Sequence, residues 1–367
     1  MAYNPTHTSF VGYRGFASLN GVLLLASSAQ ATINATAIKS TANWGAGSWN
    51  AADTVAWSAD MPTIDASIDC DVTTKSVGKI EKFSSRYGLV DGATPIVIRP
   101  SNSWGFDGSG YCDSLTLSCG EKQNLTASIE AKAFFANAQS VRDFNAPGVP
   151  SDGQNYADRG IGYGATQGDM NANATPNANT SVAEMPYNAL YPYWGQKVYL
   201  GFPYGDATPH PTPGKPISRG NVPLSSEPIR GIVDWKAQLT NNIQFKKTCS
   251  YNASLKADGL WPLAPDYVAL GAETGSCDIT FVGTLDEYDF NYFYHTRSFK
   301  VTYSSPVAEE SDVTWEHAVI IPAMTCESYP LANGNGNDIV TASFTYNAVG
   351  NGSDPPVYLP AWLAARI

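Results

Sequence analysis

Tyr111-Cys-Asp-Ser-Leu-Thr-Leu-Ser-Cys-Gly-Glu-Lys-Gln-Asn-Leu-Thr-Ala-Ser-Ile-Glu-Ala-Lys-Ala-Phe-Phe135 alternates apolar and polar residues on both sides of a small break at Gly120. A period of two sends successive side chains to opposite faces of a strand. The stretch therefore predicts a strand, a break and a longer strand, with one row of side chains on a core. A related pattern runs Ile232-Val-Asp-Trp-Lys-Ala-Gln-Leu-Thr-Asn-Asn-Ile-Gln-Phe-Lys-Lys-Thr-Cys-Ser-Tyr-Asn-Ala-Ser-Leu255, with its break at Asn241-Asn242. Two such stretches in one chain predict a repeated sheet module.

Working outward, Ile64, Ala66, Ile68, Cys70 and Val72 alternate with Asp65, Ser67, Asp69 and Asp71, a half-buried strand with three carboxylates on its polar face. Pro95-Ile-Val-Ile-Arg-Pro100 reads as a strand whose prolines exclude a central position at its ends. Ser101 to Gly110 reads as a loop presenting Trp104 and Phe106. In the second half, Thr274 to Gly283, Phe290 to Tyr303, Val313 to Val319 and Thr341 to Ala348 carry further alternation. One short helix per module is expected, near Lys75 and near Tyr267, the second only after Pro262 and Pro265. Residues 145–188 are rich in Gly, Asn, Pro and Ala without periodicity, which predicts a linker or an arm reaching across a neighbour. The expected organisation is a module over 1–144, this segment over 145–188, a second module over 189–348 and a tail over 349–367. The fold class is mainly β: two tandem sandwich or barrel modules, each with a short flanking helix and long loops.

The length of 367 residues exceeds one typical core, which agrees with two domains. Abundant aromatics, 20 Tyr, 14 Phe and 9 Trp, supply enough apolar area to exclude disorder as the bulk state. Only 15% of residues are charged, against an ordinary share of roughly 25%, and the net charge is -11. Such a sparse set predicts a surface dominated by Ser, Thr and Asn or covered by neighbours. The acidic balance argues against tight binding to a phosphate backbone, which needs clustered Lys and Arg. Six cysteines, none in Cys-x-x-Cys, read as small buried hydrophobes, with a disulfide framework as the alternative. Cys112 and Cys119 lie seven apart on one expected strand, hence on opposite faces. The run Val22 to Ala26 is too brief for a membrane span, and no basic segment precedes an apolar core at the start.

Catalysis finds little footing. His7, His210, His295 and His317 share no metal-ligand spacing, and neither a nucleophile elbow nor a phosphate loop is present. The acids at Asp65, Asp69 and Asp71 and at Asp286, Glu287 and Asp289 would suit a glycosidase only with one of a close pair buried. On the polar side of a strand they read as a solvated or channel-facing row. Trp104, Phe106, Tyr193 and Trp194 are candidates for packing across subunits, where aromatics concentrate, or for stacking a sugar. No enzyme activity, cofactor or metal is expected.

Asp113-Ser-Leu-Thr-Leu-Ser-Cys-Gly-Glu-Lys-Gln-Asn124 and Val233-Asp-Trp-Lys-Ala-Gln-Leu-Thr-Asn-Asn-Ile243 resemble the central strand pair of tail tube proteins of long-tailed bacteriophages. Thr274 to Gly283 is similar to a late strand of the same module. The resemblance spans residues 11–140 and 190–348. It implies a β-sandwich or barrel with a flanking helix, duplicated in this chain. Such modules self-associate into rings, as hexamers or as trimers of duplicated chains, and the rings stack into a conduit. It also implies a virion location after synthesis in the host cytoplasm, contacts with neighbouring tail proteins, passage of double-stranded DNA and no membrane. Candidate lumen residues on this reading are Asp113, Glu121, Lys122, Glu130, Asp234 and Lys236. A tail terminator, distal adaptor, decoration or fibre protein is the alternative within virions. A carbohydrate-binding or carbohydrate-hydrolysing sandwich is the alternative outside them.

Overall fold

The computed structural model describes residues 16–34, 37–41, 54–59, 63–85, 92–99, 104–135, 141–143, 190–201, 228–229, 231–246, 265–282, 297–306, 317–328 and 341–349. The segment 145–188, the tail after Val349, His7, His210, His295 and the acids of 286–289 lie outside them. Strands dominate, as the alternation predicts.

The first strand set begins with β1 (Phe16–Leu19) and β2 (Val22–Asn34). Asn20 and Gly21 join them with φ of 50° and 76°. Positive φ at both central residues makes the tight hairpin turn that suits Asn-Gly. A small hairpin of β3 (Ala37–Thr41) and β4 (Thr54–Ala59) leads to β5 (Thr63–Asp71). The one α-helix among the described residues, α1 (Val77–Ser84), follows, and buries Val77, Ile80 and Phe83. Its entry is held by Thr73 and Ser76, whose hydroxyls bond each other and each other's backbone N–H. Next come β6 (Thr94–Arg99), β7 (Trp104–Gly120), β8 (Thr126–Phe135) and β9 (Val141–Asp143). Round the sheet the order is β1-β2-β5-β8-β7-β6, and β6 pairs β1 again. Six antiparallel strands thus close a barrel, and closure removes the edges between them.

The second set comprises β10 (Gln196–Gly201), β11 (Ile232–Thr240), β12 (Ile243–Lys246), β13 (Tyr267–Leu270), β14 (Thr274–Val282), β15 (Arg297–Tyr303), β16 (Ala318–Ser328) and β17 (Thr341–Ala348). Its main strands lie in the order β10-β15-β16-β17-β14-β11, and β11 continues the path to β7. One backbone bond, Ile229 N–H to the Val198 carbonyl at 2.8 Å, ties β10 to the residues just before β11. A two-stranded hairpin is inserted at the same step in both, β3–β4 after β2 and β12–β13 after β11.

Several of these pairings are irregular. Pairing slips between Ala26 and Ser28 on β2 and between Ile232 and Asp234 on β11. It slips again between Cys112 and Ser114 on β7 and between Cys326 and Ser328 on β16. The second set has one slip of its own, between β15 and β16 at Pro322-Ala323. Proline has no N–H to give a ladder, so a bulge is where it fits.

The two sets are joined edge to edge. The side of β7 that pairs β6 over Phe106–Gly110 pairs β11 over Ser114–Gly120. Inward residues meet across the seam, Cys119 opposite Trp235, Leu117 opposite Ala237 and Leu115 opposite Leu239, all 4% exposed or less. The turn from β7 to β8 is laced to the start of the second set. Leu125 N–H donates to the Tyr191 carbonyl, Tyr193 N–H to Gln123 and Glu121 N–H to Val233.

Four expectations need correction. The break at Gly120 is a fold-back turn through Lys122, φ 64°, whereas the break at Asn241-Asn242 is a kink after which the chain runs on into β12. The two stretches therefore form different local structures, a hairpin in the first and two strands of separate pairings in the second. The region at Tyr267 is strand β13, because its backbone pairs Ile243–Lys246. Residues 104–110 belong to β7, and Phe106 is 4% exposed in the core. A Cβ on Gly108 would strike its ring, which is why that position is glycine. Finally, Cys112 and Cys119 are both buried, because the bulge at Asp113 resets the alternation between them.

Candidate functional site

Reading across the sheet, β2-β5-β8-β7-β11-β14-β17-β16 is one continuous antiparallel run through both sets. One face is core. The other is mostly polar, with Tyr111, Phe134 and Val282 as apolar exceptions. A single row passes from Ser28 through Asp69, Ser128 and Thr116 to Gln238, Ser276 and Asn347. Parallel rows carry the carboxylates of Asp65, Asp71, Glu130, Asp234 and Asp278 and the ammonium groups of Lys132 and Lys236. Short hydroxyl and amide side chains with a surplus of carboxylates make a wetted surface.

The carboxylates differ in setting. Asp69 accepts hydrogen bonds from Ser128 and Ser28, which hold its pKa below the usual carboxylate value. The Ser28 Oγ donates at 2.7 Å. Burial pushes Asp71 up. Burial also pushes Asp234 up; the Trp235 N–H and Lys236 oppose the shift, and the charge of Asp278 adds to it. Asp65 accepts from Asn34 Nδ2 at 2.6 Å and stands 3.8 Å from Lys132 Nζ. So exposed an ion pair contributes little to stability.

Of the candidate lumen residues, Glu130, Asp234 and Lys236 lie on this face. Glu130 accepts from Ser114 Oγ at 3.2 Å. Glu121 and Lys122 sit instead in the β7–β8 turn, 3.6 Å apart in an exposed pair. Asp113 is a structural fastener. Its Oδ1 accepts from Ile243 N–H and its carbonyl from Asn241 N–H, both at 2.7 Å. Asn241 is buried and its Nδ2 donates to the Ser84 and Cys112 carbonyls, so the kink of the second set is tied to the first. Among the aromatics, Phe106 is core, and the Tyr193 hydroxyl donates to the Ile232 carbonyl within the chain. Trp194 is 74% exposed. Trp104 opens β7 opposite Asp143; its side chain lies outside the described residues.

Two features escaped the sequence. The first is the seam itself, since nothing in β7 or β11 says that one will pair the other. The second is a buried cluster at the junction: the Glu81 carboxylate of α1 takes the Tyr303 hydroxyl and meets His317 Nδ1 at 2.9 Å. The side chains of Glu81 and His317 are 1% and 2% exposed. Tyr191 packs edge-on against Tyr303, their centroids 5.6 Å apart.

The thiols behave as core atoms. Burial pushes Cys70 up to about 12, with Asp71 and Asp69 adding to it. Burial likewise raises Cys112 and Cys277 far from any thiolate chemistry. Cys70, Cys112, Cys119, Cys277 and Cys326 are all free. Among the described residues no group of three or more His, Cys, Asp or Glu is placed to hold a metal ion. None of their helices is long and apolar enough to cross a membrane. Compared with known proteins, the chain matches no family model and no curated protein.

Proposed function

We propose that this chain is a structural subunit of a bacteriophage tail tube, assembling through its sheet edges into stacked rings around a channel for double-stranded DNA. The observation that carries the reading is the continuous run from β2 to β16, buried on one face and polar with surplus carboxylate on the other. A tube wall needs a sheet that passes from one module to the next without a gap. It also needs an inner face that does not hold phosphates, and carboxylates among Ser and Thr meet that need, because binding DNA requires clustered cations.

On this reading the two strand sets are tandem copies of one module. Support comes from the shared strand order, the hairpin inserted at the same step, and paired bulges. Short strings fall at matching places too: Cys112-Asp-Ser114 with Cys326-Glu-Ser328, and Thr126-Ala-Ser128 with Thr341-Ala-Ser343. Three chains would then complete a ring of six modules in the virion, beside other tail proteins. The role needs no cofactor and no catalytic residue.

Electron microscopy of the purified protein tests it. Hollow rings or tubes are expected. Monodisperse compact particles at high protein concentration, with no ring at any salt, would overturn the reading.

A further inference from the structure

Glu81 of α1 and His317, the residue before β16, bring a carboxylate and an imidazole together with 1% and 2% of their side chains exposed. They belong to different strand sets, so the contact spans the junction. A second polar tether joins α1 to the second set, from Asn241 Nδ2 to the Ser84 carbonyl at 3.1 Å, and neither of its partners titrates. Of these two tethers, only the one at Glu81 answers to protons.

The surroundings decide where a proton sits. The Tyr303 hydroxyl donates to one carboxylate oxygen, and a donor favours the ionised acid. His317 Nδ1 lies 2.9 Å from the other oxygen, at the distance of a charge-assisted bond. The imidazole is stacked on the Tyr303 ring, with centroids 6.1 Å apart and planes at 17°, and Tyr191 meets it edge-on at 6.3 Å. Aromatic faces favour a cation. The titratable groups that face His317 are thus Glu81 from α1, Tyr303 from β15 and Tyr191 from the segment before β10. Ala318 and Val319, which carry the chain into β16, bring no charge, and Lys75, Lys79 and Lys82 around the helix are only half-buried.

We infer that Glu81 and His317 hold a single proton between them, carried on the imidazole, and that this makes the grip of α1 on the second strand set depend on pH. As carboxylate and imidazolium the pair is neutral as a unit. A second proton leaves a buried cation without its anion, and loss of the first leaves a buried anion without its cation. Burial disfavours both. Released from the junction, the two groups titrate near their ordinary values, about 4.3 for Glu and about 6.5 for His. Between those values the open and closed junctions each hold one proton, and the grip is strongest. Above about pH 6.5 the open junction holds none, so opening releases the proton and rising pH loosens the grip. Below about pH 4.3 the open junction holds two, so opening takes one up and falling pH loosens it as well. For one proton, the opening equilibrium moves by up to about tenfold per pH unit.

Amide exchange of α1 in the full chain, corrected for the intrinsic pH dependence of exchange, reads the opening. Protection of Ile80 to Ser84 in the wild-type chain should be level from about pH 5 to 6.5 and then fall, approaching tenfold per unit. Glu81→Gln keeps the shape and an acceptor for Tyr303 but leaves His317 buried without an anion. Its protection should instead rise from about pH 5 to 6.5 and then level off, because only its open state binds a proton there. Nitrogen-15 spectra of the histidines give a second reading that needs no folded Glu81→Gln. The chain has four histidines, and His317 is the one whose signals vanish in His317→Gln. Both of its ring nitrogens should remain protonated above the ordinary histidine value. Wild-type protection that does not fall above about pH 6.5, or a His317 ring with one proton at about pH 6, overturns the inference.

Discussion

At the scale of single residues, Asp113 does what its position in a polar row conceals. As the bulge residue it turns its carboxylate toward the second strand set and takes the Ile243 N–H at 2.7 Å. Removing that acceptor leaves a part-buried N–H unpaired. Asp113→Ala should cost about 1–3 kcal/mol of stability in urea unfolding. Asp113→Asn keeps an oxygen in place and should lose only a fraction of that. Equal losses would mean that charge, and not the acceptor, holds the kink. The alternation of Tyr111 to Phe135 made the strands legible, but a bulge adds a residue without any change of composition. Cys112 and Cys119 therefore seemed to face opposite ways, and Phe106, among glycines and serines, read as exposed. Glycines there mark the close approach that the Phe106 ring requires, a cue readable only once the ring is known to point inward.

At the scale of elements, α1 is clamped to the second strand set by a polar contact in an otherwise apolar junction. Tyr303 of β15 donates to Glu81, and His317, next to β16, meets the other carboxylate oxygen. A buried carboxylate is tolerated only with such partners. Tyr303→Phe should cost about 1–3 kcal/mol, the loss of one donor to a charged group. Glu81→Ala should cost more, about 3–5 kcal/mol, since it breaks the buried pair outright. Thermal or urea melts of the two variants decide the order. Near Lys75 the sequence allowed a short helix or a loop; burial of Val77, Ile80 and Phe83 on one side decides for the helix. At Tyr267 the prolines pointed to a helix start, but tertiary pairing with Ile243–Lys246 prevailed. The proposed pairing of β7–β8 with β16–β17 has its sequence support in Cys-Asp/Glu-Ser followed by Thr-Ala-Ser. Periodicity drew attention to 232–255 instead, because every half-buried strand shares the same period.

For the whole molecule, the decisive property is that one face of one sheet belongs to both strand sets and carries few positive charges. Strand pairing creates it, so no window of sequence contains it; the alternating rows were legible, their joining was not. Its bearing on DNA can be measured directly. A face with Asp65, Asp69, Asp71, Glu130, Asp234 and Asp278 against Lys132 and Lys236 releases few counterions from a duplex. The assembled wild-type chain should therefore retain no duplex even at low salt. Reversing charge at Asp65→Lys, Glu130→Lys and Asp278→Lys should create retention in a filter or gel assay, because each added cation beside the duplex neutralises a phosphate. The affinity should fall with salt, by a log–log slope of about 0.9 for each phosphate neutralised. The same three reversals leave the core face untouched, so rings should still form. Retention that is independent of salt, or tight binding by the unaltered face, would show that the face holds DNA by contacts other than charge and is no passive wall.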